Sequence, residues 1–103
     1  PMVLAPMNDL FGLAITEGVE DALSAAASGL GAWAAGGAEF IPKLVPAIER
    51  LGAAGPECIT IITDPNQAGR RNAQAAAAAF TALALRLGDG RPQFEVRTLE
   101  GAP

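Results

Sequence analysis

At 103 residues, half of them apolar but only 5% aromatic, the chain is long enough for one domain with one core and too short for two. Its formal charge of −4, from 7 Lys and Arg against 11 Asp and Glu, argues against a surface that grips nucleic acid unaided. With no histidine, the commonest general base and the usual zinc ligand are missing, and a single cysteine excludes an internal disulfide.

Pro1 to Asp9 holds a short apolar piece, Met2 to Ala5, readable as an edge strand or as an ordered arm. Phe11 to Ile15 is the first firm strand, apolar on both faces as a buried parallel strand requires. After Glu17-Gly18, the residues Val19, Ala22, Leu23, Ala26, Ala27 and Leu30 recur at helical spacing, and Gly29 stops the helix. Glu20 and Asp21 fall in its first turn, where the helix dipole favours negative charge. Gly31 to Ala35 reads as a short strand ending at Gly36-Gly37.

Phe40, Leu44, Ile48 and Leu51 give a weaker helical pattern. Proline is tolerated only in a first turn, so Pro42 and Pro46 predict two short pieces, the second starting near Pro46. Gly52 to Pro56 is a loop, and Cys58 to Thr63 is a strand rich in β-branched residues, with Cys58 expected as a small buried hydrophobe. Gln67 to Leu87 is the longest helix, with Ala73, Ala76, Ala77, Phe80, Leu83 and Leu87 set to face a sheet. Gly88-Asp89-Gly90 ends it, and Phe94 to Leu99 alternates as a last strand.

The order β-α-β-α-β-α-β predicts an α/β domain with a Rossmann-like, four-stranded, mainly parallel sheet flanked by helices, its core spanning residues 11–99. No basic segment precedes an apolar one, and the stretch from Ala22 to Ala38 is broken by Ser and Gly, so neither a signal peptide nor a membrane span is expected. A cytoplasmic location follows as the default. The Pro-Met start and the Gly101-Ala102-Pro103 end read as those of a piece cut from a longer protein.

Two acidic strings follow strands, which in an open α/β sheet is where ligands bind. Glu17 lies directly beyond the first firm strand and is followed by glycine, which leaves its carboxylate room to meet a substrate. Its alternative use is to cap the helix that follows. Asp21 lies four residues on, within reach of the same face, although a first-turn aspartate is common for dipole reasons alone. Asp64 ends the β-branched strand, and Asp64 with Asn66 puts two oxygen ligands at i and i+2, a spacing able to converge on one Mg²⁺. The competing reading is an Asp-Pro-Asn turn capping the long helix. Gly69 admits a close backbone approach by phosphate, and Arg70 and Arg71 add two cations at a helix N-terminus, itself favourable to anions.

Glu17-Gly18 after one strand, and Asp64-Pro65-Asn66 with Ala68-Gly69-Arg70 after another, together resemble the Toprim domain of primases, topoisomerases and some nucleases. The resemblance covers roughly Leu13 to Leu99, and Gly36-Gly37 resembles the small-residue end of the family's second strand. It departs at Asn66, where the family carries a second aspartate. Within the family the wording is most similar to the primase-like domains of phage and plasmid replication proteins. The resemblance implies nucleotidyl transfer dependent on Mg²⁺ or Mn²⁺, with Glu17 in proton transfer or metal holding and Asp64 and Asn66 as metal ligands. Gly69, Arg70 and Arg71 would then bind phosphate. It further implies that nucleic acid and nucleotides are held with neighbouring domains, such as a helicase or zinc-binding module. A non-catalytic docking module and a Toprim nuclease stay open as alternatives. Topoisomerase activity would need a tyrosine from elsewhere, since this chain has none.

Overall fold

Three short, mainly apolar runs and one charged, alternating run form the parallel heart of one sheet. The computed structural model describes residues 2–5, 12–51 and 55–101. Its strands are β1 (Met2–Ala5), β2 (Leu13–Thr16), β3 (Gly31–Ala34), β4 (Cys58–Thr63) and β5 (Glu95–Glu100). The helices are α1 (Val19–Ala27), α2 (Val45–Leu51) and α3 (Gln67–Leu87), with a 3₁₀ segment over Ala38–Leu44 leading directly into α2. The sheet runs β1-β3-β2-β4-β5. β3, β2, β4 and β5 are parallel, and β1 is antiparallel to β3.

The expected four-stranded sheet is therefore a mixed sheet of five. Met2 to Ala5 takes the edge-strand alternative, and the rest of the proposed arm, from Pro6 to Asp9, lies outside the described residues. So does Phe11, the expected start of the first firm strand. The parallel core and the flanking helices fit a Rossmann-like α/β arrangement. Among the described residues no helix is long and apolar enough to cross a membrane.

The two faces of the sheet are packed differently. On one face the 3₁₀ segment, α2 and α3 bury Leu13, Ile15, Ile59 and Ile61 against Ile41, Ile48, Phe80 and Leu83. Phe80 is fully buried there. On the other face α1 lies alone over an alanine floor of Ala14, Ala32 and Ala34, and contributes Ala22 and Ala25 to it. This corrects the phase of the α1 stripe. Its leading apolar residues, Val19 and Leu23, are 41% and 54% exposed, and Ala25, outside the expected stripe, is buried. Alanine against alanine lets helix and sheet approach closely, and a leucine at that interface would hold them apart.

The two proline-bearing pieces form as expected, with α2 starting at Val45 so that Pro46 stands in its first turn. α3 has the expected bounds. β5 begins one residue later than its alternation suggested: Phe94 precedes the ladder and is buried in the core cluster beside Phe80 and Leu83. Cys58, at the start of β4, is half-buried.

Candidate functional site

The strand order fixes where a site can be. From β2 the chain crosses by α1 to β3 on one side, and from β4 it crosses by α3 to β5 on the other. The crevice between two connections that diverge in this way opens at the carboxyl ends of β2 and β4, and ligands of open α/β sheets bind in such a crevice. Glu17 follows β2 and Asp64 follows β4.

The structure brings these two residues together. The Asp64 backbone N–H donates to Glu17 Oε2 at 2.9 Å. The Glu17 backbone N–H donates to the Ile62 carbonyl at 3.0 Å, and its carbonyl accepts from Gly36 N–H at 3.1 Å. Glu17 thus ties the ends of three adjacent strands. Gly36 meets it with φ +89°, a conformation that only glycine takes readily. Glu17 does not cap the helix that follows it, since the N-cap of α1 is Gly18 and no side chain caps that end. Its carboxylate turns across the crevice instead, and Oε1 has no hydrogen-bond partner among the described residues.

Asp64 is exposed, and its carboxylate takes no hydrogen bond or ion pair among the described residues. The capping role belongs to Asn66. As N-cap of α3 it accepts from Gly69 N–H at 2.7 Å through Oδ1. Asn66→Ala is expected to lower stability by about 1 kcal/mol, and Asn66→Asp to leave it within a few tenths, as read from urea unfolding. The amide oxygen expected to face a metal is thus already bonded to the helix terminus.

Gly69 serves a different contact from the phosphate approach expected of it. It is buried, and a Cβ there would lie well inside van der Waals contact of the Asp64 carbonyl oxygen. The glycine lets the first turn of α3 seat on the loop that carries Asp64.

Arg70 is engaged as well. Its Nε donates to Glu100 Oε1 at 2.5 Å, joining the start of α3 to the end of β5. The hydrogen bond to Glu100, and then that carboxylate's charge, push the guanidinium above its ordinary range. Arg71 is exposed and has no ion-pair partner among the described residues. Asp21 is not brought to the pair. Its carboxylate lies against Gly101, just past β5, in a groove beside Ser24, Ser28, Ile62 and Leu99.

Glu39 and Glu100 were not singled out from the sequence. Glu39 places its carboxylate against Gly37, at the end of β3. Glu100 is the counter-charge of Arg70 and lines a cleft of about 160 Å³ with Thr63, Arg70, Gln74 and Thr98. A pair separated by 30 residues leaves no local signal.

No protein-family model, curated protein or solved structure matches the chain.

Among the described residues no three acidic, histidine or cysteine side chains converge to hold a metal ion. Two carboxylates are what the crevice offers. That donor set fits a hard dication such as Mg²⁺, which takes one or two carboxylates and completes its shell with water and substrate phosphates. It does not resemble a closed all-protein cage.

Proposed function

We propose that the chain is a Toprim-type domain of a primase-like replication protein, acting in metal-dependent nucleotidyl transfer. The observation that carries this reading is the meeting of Glu17 and Asp64 at the point where the sheet's connections diverge. Both carboxylates there have oxygen atoms with no hydrogen-bond partner among the described residues.

In this reading Mg²⁺ or Mn²⁺ would be held by Asp64, with Glu17 either completing the hold or taking the proton, and would supply charge neutralisation at the phosphoryl group under attack. The chain's own residues do the rest. The Asp64 N–H fixes the Glu17 carboxylate through Oε2, so that Oε1 presents a set direction to whichever it serves, the metal or the proton of an attacking hydroxyl. The N-terminus of α3 and Arg71, which has no ion-pair partner among the described residues, favour the phosphates of the incoming nucleotide. Arg70 reaches phosphate only by leaving Glu100. Nucleic-acid affinity comes from neighbouring domains, because the net charge of −4 opposes it here.

The test is a Mn²⁺ titration of the chain, followed by electron paramagnetic resonance of the free ion. Asp64→Ala should raise the dissociation constant at least about tenfold, a loss of roughly 1.4 kcal/mol. Equal titrations of the two proteins would end the metal assignment.

A second reading, a docking module that has lost catalysis, is favoured by the commitment of Asn66 to its cap and Arg70 to Glu100. Asn66→Asp separates the two. Aspartate caps as well as asparagine and adds a negative charge beside Asp64. Tighter Mn²⁺ binding by that variant favours a weakened catalytic site, and an unchanged titration favours the docking module.

A further inference from the structure

Beside the first turns of α3 lies a cleft that neither Glu17 nor Asp64 lines. The pairing of β4 with β5 sets Thr98 next to Ile61 and Glu100 next to Thr63. Paired residues of neighbouring strands share a face, and Ile61 lies in the core beneath α3. Thr98 and Glu100 therefore stand on the α3 side of the sheet. From α3 come Arg70, Ala73 and Gln74, at i, i+3 and i+4 on one side of the helix. With only a methyl group at Ala73, a space of about 160 Å³ remains between helix and strand.

Thr63 is what points to a ligand. It is 1% exposed, yet its hydroxyl has no hydrogen-bond partner among the described residues. No fully enclosed side-chain polar atom of those residues is left unpartnered. The sliver of surface that Thr63 keeps therefore lies at its hydroxyl, which opens into the cleft. A hydroxyl so deeply set costs free energy unless something bonds it.

The neighbouring groups select the chemistry. Glu100 Oε2, the terminal nitrogens of Arg70, the Gln74 amide and the Thr98 hydroxyl take no hydrogen bond among the described residues. Arg70 and Glu100 already neutralise each other, so an anion meets the carboxylate and a cation meets the guanidinium. A zwitterion has to part the pair. An apolar ligand leaves all of these groups unpaired. Neighbouring hydroxyls on a neutral ring fit instead, because each both donates and accepts. Dinucleotide-binding βαβ units set a carboxylate downstream of the helix on a ribose hydroxyl in this way. Glu100 ends the unit β4-α3-β5. Drug-sized ligands fill roughly 300–1,000 Å³, so this cleft has room for a single ring.

We propose that the cleft is a subsite for the vicinal hydroxyls of a furanose ring, carried by a nucleoside or by a free sugar. One hydroxyl donates to Glu100 Oε2 and accepts from Arg70 or Gln74. The next exchanges hydrogen bonds with Thr63 and Thr98. No metal takes part, so the proposal stands apart from the metal reading.

The test is a titration of the whole chain, with a chelator present, followed in ¹H–¹⁵N correlation spectra. The probes are uridine, 2′-deoxyuridine and methyl ribofuranoside. Uridine should give saturable shifts at the Gln74 side-chain amide and at Thr98, with a dissociation constant of about 1 mM. 2′-Deoxyuridine, which lacks one of the two hydroxyls, should bind at least about threefold more weakly. Thr63→Val keeps the shape of the side chain, removes its hydroxyl, and should weaken uridine binding at least about threefold. Thr98→Val repeats the test at an exposed position, where folding is not at stake. Uridine bound more tightly than the riboside assigns the ring to a nucleoside, and a riboside bound as well or better assigns it to a free sugar. No saturable shift with either diol, equal affinity for uridine and 2′-deoxyuridine, or full affinity in both valine variants would each overturn the proposal.

Discussion

Phe80→Ala should lower the unfolding free energy by about 3–5 kcal/mol, the range for removing a phenyl ring from a core that cannot collapse around the space. Phe80 is fully buried on the more heavily covered face of the sheet, in the cluster with Leu13, Ile41, Ile59 and Ile61. Much of this chain's apolar content is alanine, which contributes little area per residue. A few large side chains therefore supply a disproportionate share of the hydrophobic stabilisation. Domains of this size have about 5–15 kcal/mol in total. The variant should accordingly show a large drop in urea midpoint with an unchanged slope. A loss below about 1 kcal/mol would mean that the helices close over the space, contrary to the fixed packing described.

The same alanine content decides which parts of the fold were legible beforehand. α3 could be bounded to the residue because Asn66 stands at its start, Gly88 at its end, and Phe80 and Leu83 mark its inner face. α1 could be placed but not phased. Alanines occupy both its inner and its outer positions, and Leu23 drew the expected stripe toward the side that is exposed. β1 could not be assigned from four residues alone, since its strand character depends on pairing with β3. At the site, the ends of β2 and β4 were readable as sequence, and so was the chemistry of Glu17 and Asp64. That they touch depends on β2 and β4 being neighbours, which strand order decides. The commitments of Asn66 and Arg70 were legible to different degrees. A cap by asparagine is a local possibility, whereas the pairing of Arg70 with Glu100 needs β5 to end beside the start of α3.

Gly69→Ala is expected to damage stability and site together, and the combination distinguishes a support from a ligand. The added methyl would collide with the Asp64 carbonyl oxygen, a backbone atom that cannot rotate away. That carbonyl also accepts from Asn66 N–H at 2.8 Å, so the loop is held from two directions. Relief requires α3 to lift or the loop to move, and overpacking of this kind typically destabilises by about 1–3 kcal/mol. Alanine is otherwise the better helix former, by about 1 kcal/mol, so the sign of the result is informative: only the collision makes it negative. Any shift of the loop carries the Asp64 N–H away from Glu17 Oε2. Gly69→Ala should therefore weaken Mn²⁺ binding while leaving both carboxylates in place. Asp64→Ala should weaken the same binding with little loss of stability, because Asp64 is exposed and its carboxylate makes no hydrogen bond or ion pair among the described residues. If Gly69→Ala proved more stable than the unaltered chain, the close seating of α3 on the Asp64 loop would be refuted. If it were destabilised yet bound Mn²⁺ as before, the Glu17–Asp64 contact would be irrelevant to the metal.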